Sequence, residues 1–216
     1  MSSRPPVRPA PPTLPAGLRA VAFDDVDLAA HVEGRAVSGQ AEDVDLDDVE
    51  ISGSRLAGLR LIGGRVTRCQ LTDVEIADSD LSGVGIPDSG WHRVAVRESR
   101  LAGVSVAGAI WTDVVVEDVR ATRLDARFAT LRRTVFRRCD LGEADLTGAT
   151  LDGVLFEDCR LTGASFAQAT VKRAELARCD VSAVRAVAGL RAAEVDASTL
   201  VSLAAPMAAA LGIGLG

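Results

Sequence analysis

The sequence has no tyrosine, no asparagine, a single lysine (Lys172), five phenylalanines and two tryptophans among its 216 residues. An interior packed around aromatic rings is therefore excluded, and the core has to be assembled from Leu, Val, Ile and Ala. With 23 arginines beside that one lysine, the missing residue types read as coding bias with no functional content. None of the four cysteines forms a CxxC pair, which removes the zinc-ribbon and thioredoxin-like readings. Long apolar runs are also missing. Thr199 to Gly216 is the most apolar stretch, but Pro206 interrupts it, so it reads as a short helical cap and no membrane is expected. Residues 1–17 hold six of the eight prolines and no apolar signal core. The expectation is a disordered tail on a cytoplasmic protein.

The chain does contain a repeat. Every fifth residue from Leu46 to Val181 is apolar without a break in phase, which makes 28 units. The residue two before each centre is small or apolar, as in Cys69, Ser79, Ala109 and Ala144. If charges fell at random at their overall frequency, two such uncharged columns would arise with a probability of about 10^-7. A period of five fits neither a helix nor a flat strand. It fits short extended pieces joined at corners, with two residues of each five facing a common axis.

Units such as Ala144 to Gly148 (ADLTG), Ala149 to Gly153 (ATLDG), Cys159 to Gly163 (CRLTG) and Cys139 to Glu143 (CDLGE) resemble the signature of pentapeptide-repeat proteins. That resemblance implies an all-β solenoid: a right-handed quadrilateral parallel β-helix with four units per coil, hence about seven coils, and a short C-terminal helical cap. Residues 20 apart should then stack at ~4.8 Å. Opposite charges alternate at that spacing in the columns Asp73, Arg93, Asp113, Arg133; Glu117, Arg137, Glu157; Asp118, Arg138, Asp158, Arg178; and Arg120, Asp140, Arg160, Asp180. Trp91 should lie over Trp111, Phe136 over Phe156, and Cys139, Cys159 and Cys179 in one stack.

Residues 44–188 are assigned to the repeat. Leu28 to Leu46 is 18 residues, not a multiple of five, so residues 18–43 are read as an irregular first coil with a loop near 32–41. Where Ala121 and Ala126 shrink the centre and Leu124 swells, a local change of cross-section is expected. Residues 189–216 are assigned to the cap. Leu200, Leu203, Met207 and Leu211 recur at helical spacing, and Asp196 or Ser198 is the expected N-cap. Pro206 is expected to end or restart that helix, and Gly212 to close it. The apolar face suits either a monomer cap or a homodimer interface; related gyrase-binding proteins dimerise at this end, which favours the dimer.

No catalytic, cofactor-binding or metal constellation is expected. His31 and His92 lack an orienting partner in the sequence, and the cysteines read as small core residues. Gly212, Gly214 and Gly216 do not make a dinucleotide loop, since no strand precedes them. Charge placement is more informative. Between Asp24 and Glu50 there are ten acids against Arg35 alone, whereas residues 51–216 are balanced. Glu42, Asp43, Asp45, Asp47, Asp48 and Glu50 form the candidate acidic end. Arg123, Arg127, Phe128 and Arg132 form a second candidate surface, in a coil where Asp125 is the only acid between Val119 and Cys139. The resemblance to Qnr-type and mycobacterial quinolone-resistance proteins implies a non-enzymatic DNA mimic with DNA gyrase as its protein partner. The alternative is a structural or scaffolding repeat protein with an unknown partner. Direct nucleic-acid binding is disfavoured by the net charge of -6.

Overall fold

The computed structural model describes residues 7–27 and 31–214. The corners explain the period of five. Asp73, Asp78, Gly83 and Asp88 sit five residues apart with φ of 56°, 50°, 74° and 51°, so each unit turns the chain once through the left-handed region and four units close one coil. Gly and Asp recur at these positions because they enter that region at low cost.

The strands are β1 (Arg19–Ala22), β2 (Val32–Glu33), β3 (Arg35–Asp47), β4 (Glu50–Thr67), β5 (Gln70–Ala77), β6 (Gly90–Arg97), β7 (Ile110–Glu117), β8 (Thr130–Arg137), β9 (Thr150–Glu157), β10 (Thr170–Ala177) and β11 (Ala193–Val195). All pair in parallel, in one continuous stack. From β5 to β8 each strand covers two of the four sides, and the other two sides pair through bridges such as Asp80 to Arg100 and Gly85 to Ser105. The register is 20 residues, as in Leu71 beside Trp91 and Val116 beside Phe136.

The solenoid is longer than the seven coils expected. One column runs Val21, Val37, Leu56, Ile76, Val96, Val116, Phe136, Phe156, Leu176, Val195, giving about nine turns. The extra turns lie at the two ends, where the register is not 20. Val37 pairs with Leu56 but Ala41 with Leu61, so one unit has four residues and the slip falls between Val37 and Gly39. Residues 32–41 are therefore paired strand rather than the loop expected there. Leu28, from which the 18-residue spacing to Leu46 is counted, lies outside the described residues. At the other end β11 pairs with β10 at a spacing of 19, inside the segment assigned to the cap.

The inward columns form one apolar core. Trp91 stacks on Trp111 with ring centroids 4.6 Å apart, and Phe136 on Phe156 at 5.1 Å. Ala121, Leu124 and Ala126 are all buried, so the larger Leu124 offsets the two small centres. The N-terminal half, whose centres are mainly Leu, Ile and Val, keeps an apolar cavity of about 70 Å³ between Phe23 and Trp91. The thiols of Cys139, Cys159 and Cys179 each donate to carbonyls of their own and the preceding coil. Burial pushes the Cys69 thiol up to about 12, which suits a packing role.

Helix α1 (Ala197–Ala210) covers the last coil. Thr199, 20 residues beyond Cys179, accepts from the Cys179 N–H at 2.9 Å, and Ser202 Oγ accepts from Val181 N–H at 2.9 Å. Ser202 thus replaces a carbonyl of the missing next coil, and Thr199 repeats the hydroxyl contact that Ser79 and Ser99 make along the wall, which satisfies an edge that water or another strand would otherwise take. Asp196 is the N-cap, accepting from Thr199 N–H at 2.8 Å, and Gly212 closes the C-terminus at φ 73°. Pro206 lies within the helix and does not interrupt it, contrary to expectation. No helix among the described residues is long and apolar enough to cross a membrane.

The N-terminal segment also differs from the sequence expectation. Residues 7–17 have no regular structure, yet they lie along one corner of the solenoid: Ala10 N–H donates to Asp113 Oδ1 at 3.1 Å and Thr13 N–H to Asp73 Oδ1 at 2.9 Å.

Candidate interaction surfaces

The acidic end lies on β3 and the turn into β4. Val44 and Leu46 pack against the core, so strand alternation turns Asp45 and Asp47 outward, while Asp43 and Asp48 occupy left-handed corners at φ 49° and 60°. The six acids are not equivalent. Asp47 accepts hydrogen bonds from Thr67 Oγ1 and Arg68 Nη2, which hold its carboxyl below the ordinary range. Arg68 also approaches Asp48 at 4.0 Å, and Glu50 lies 3.5 Å from His31 Nδ1. Glu42, Asp43 and Asp45 have no ion pair among the described residues. These three, with Asp48 at the edge of the Arg68 pair, are the carboxylates open to a cationic partner.

A second acidic feature follows from the 20-residue spacing but escaped the sequence reading. One corner stacks Asp78, Glu98 and Asp118 on consecutive coils, each at positive φ. Arg138 then pairs with Asp118 at 2.7 Å, leaving Asp78 and Glu98 without an ion pair among the described residues. Like charges at this spacing repel, so the fold gains nothing from the ladder. Beside it an open groove is lined by Arg60, Ser79, Asp80, Ser99, Arg100 and Arg120.

The alternating columns do form ion pairs. Arg93 binds Asp73, Arg133 binds Asp113, Arg137 bridges Glu117 and Glu157, and Arg178 binds Asp158, at N···O distances of 2.5 to 3.4 Å. Each exposed pair is worth ~0–1 kcal/mol, so the network fixes register more than it adds stability. These pairs also divide the arginine belt. Arg133, Arg137 and Arg138 are engaged with neighbouring coils and Arg127 with its own Asp125 at 2.8 Å, whereas Arg120, Arg123 and Arg132 have no ion pair among the described residues. Because these residues follow one turn round the rod, Arg123, Arg127 and Arg132 fall on different sides and do not make one patch. Phe128 is 64% exposed in a left-handed corner, with its ring against Gly148 of the next coil.

At the opposite end the cap helix has two faces. Leu203 is 5% exposed and packs with the core, so this member of the expected interface belongs to the cap interior. Leu200, Met207 and Leu211 are exposed, and Val201, 77% exposed, joins them. Leu200, Met207 and Leu211 border an open apolar hollow with Val187, Leu190 and Val195.

The profile of pentapeptide repeats matches residues 139–181 in 8 copies. No curated protein matches the chain. Among solved structures, a trypsin-treated form of QnrB1, a plasmid-mediated fluoroquinolone resistance protein, aligns at 19% identity over 88% of this chain and 94% of that one, with a TM-score of 0.49. Full-length QnrB1 aligns at 18% identity over 87% and 96%, with a TM-score of 0.44. HetL of the cyanobacterium Nostoc sp. strain PCC 7120, a protein involved in heterocyst differentiation regulation, aligns at 17% identity over 83% and 90%, with a TM-score of 0.29. The profile match and the four-cornered coils carry the same five-residue unit, and residues 139–181 of this chain are pentapeptide repeats.

Proposed function

We propose that this protein is a non-enzymatic interaction protein that imitates duplex nucleic acid toward a protein with a DNA-binding groove, with DNA gyrase as the partner. The supporting observation is the set of exposed carboxylates the fold does not use: Glu42, Asp43 and Asp45 at one end, and Asp78 and Glu98 on one corner. A groove evolved for phosphates attracts such an array, and the attraction weakens with salt. The apolar face of Leu200, Val201, Met207 and Leu211 then serves as a homodimer contact, leaving the acidic ends at the far tips. The test is a supercoiling and quinolone-induced cleavage assay with the Asp43→Asn, Asp45→Asn, Asp48→Asn variant at two salt concentrations. Asp47 is left intact because Thr67 and Arg68 bind it. The variant should fold as the wild type does and lose at least tenfold in apparent affinity for gyrase. Equal activity removes the acidic end from the mechanism.

A second reading, a scaffolding protein, is favoured by one observation. Coils from Glu117 to Arg178 neutralise their own charge, so much of the rod offers no net field. Inactivity of wild type and variant alike in the gyrase assay selects it.

A further inference from the structure

The corner that carries residues 7–17 is built in a repeated way. Asp73 receives Arg93 Nε on Oδ1 at 2.6 Å and Arg93 Nη2 on Oδ2 at 2.5 Å, and its Oδ1 also accepts Thr13 N–H at 2.9 Å. Two coils on, Asp113 receives Arg133 Nε on Oδ1 at 2.7 Å and Nη2 on Oδ2 at 2.6 Å, and its Oδ1 accepts Ala10 N–H at 3.1 Å. The arginine from the following coil orients each carboxylate, so the acceptor is fixed before a peptide arrives. Asp113 is only 6% exposed.

The spacing selects the ligand. Two coils advance ~9.6 Å. A polyproline II strand advances ~3.1 Å per residue and presents the same side every third residue, after ~9.3 Å. Ala10 and Thr13 are three apart, and Pro11 and Pro12 between them set the backbone angle and have no N–H to leave unsatisfied. Beyond the acceptors the wall is bare: Pro15 lies where a Cβ on Gly53 would sit 3.3 Å away and one on Gly34 3.7 Å away. A flat wall suits a proline ring.

We propose that this corner is a binding site for proline-rich peptide segments in the polyproline II form that carry two N–H groups three residues apart, and that residues 7–15 fill it in cis. Recognition is through the backbone, so a competing segment needs the pattern x-Pro-Pro-x followed by proline two residues later, not the particular side chains of Ala10 and Thr13. The site does not depend on the gyrase reading and is tested without it.

The experiment uses the full chain. Amide exchange by NMR should show Ala10 and Thr13 protected at least tenfold over free peptide, with protection lost in the Asp73→Ala, Asp113→Ala variant. A second variant, Ala10→Pro with Thr13→Pro, keeps the backbone conformation and removes both donors. A synthetic peptide of residues 7–17, added to this variant up to millimolar concentration, should shift the amides of Asp73, Asp113 and Gly53. The same peptide carrying Ala10→Pro and Thr13→Pro, which lacks both donors, should not. Unprotected amides in the wild type overturn the proposal, as does a peptide that leaves those resonances unmoved or a donorless peptide that binds equally well.

Discussion

At the scale of single residues, the corner position decides what the repeat tolerates. Phe128 is a bulky side chain at φ 59°, a conformation that costs a non-glycine residue ~1 kcal/mol or more, and its ring fits because Gly148 above it has no Cβ. A Cβ on Gly148 would lie 2.5 Å from a Phe128 ring carbon, and Gly148 itself sits at φ 68°. Gly148→Ala should therefore destabilise the protein by about 2 kcal/mol in urea unfolding, roughly half from the backbone conformation and half from the displaced ring. In the double variant with Phe128→Ala the ring contribution should vanish, leaving about 1 kcal/mol. Additive losses in that cycle would mean that the ring does not rest on Gly148.

At the scale of elements, the join between solenoid and cap depends on Asp196. Its carboxylate accepts from Thr199 N–H, from Ser198 Oγ and, across the join, from Arg178 N–H at 2.9 Å. Those bonds, led by that from Thr199, lower its pKa to about 2 from an ordinary 3.8. A depressed carboxylate contributes stability that is complete above the unfolded value and lost as the pH falls through the folded one. Melting temperature should therefore drop between pH 4 and pH 2, and Asp196→Ala should lower it at neutral pH and flatten that drop. A variant with the wild-type acid slope would assign the slope to other carboxylates, Asp180 first, since its pKa is also lowered to about 2. The cap was legible in sequence because N-caps and helical spacing are local signals. The coils were legible because inward positions keep one phase for 28 units. What was not legible has no local signal. The four-residue unit between Val37 and Ala41 breaks the phase that reveals the others, and the bonds from Ala10 and Thr13 reach acids 103 and 60 residues away. The Asp78, Glu98, Asp118 ladder follows the same 20-residue spacing, so its signal is present in the sequence.

At the scale of the whole molecule, the rod has two unlike ends, and the proposed assembly rests on the difference. Nine coil steps span ~43 Å. The N-terminal end carries crowded carboxylates that oppose self-association. The C-terminal end carries exposed Leu200, Val201, Met207 and Leu211 on a helix whose Leu203 is already spent on the core. The proposed two-fold contact through identical apolar patches would bury this surface and leave no face to propagate, so assembly would stop at a dimer. Two substitutions separate that contact from the cap itself. Val201→Glu with Leu211→Glu changes residues 77% and 74% exposed, and should convert a dimer to a soluble monomer by light scattering without altering the melting temperature extrapolated to low concentration. Leu203→Glu places a charge at a site 5% exposed, and should unfold the cap at a cost of about 3 kcal/mol or more at any concentration. A wild type that scatters as a monomer at high concentration ends the dimer, and the outer face of the helix is then only the outside of a lid.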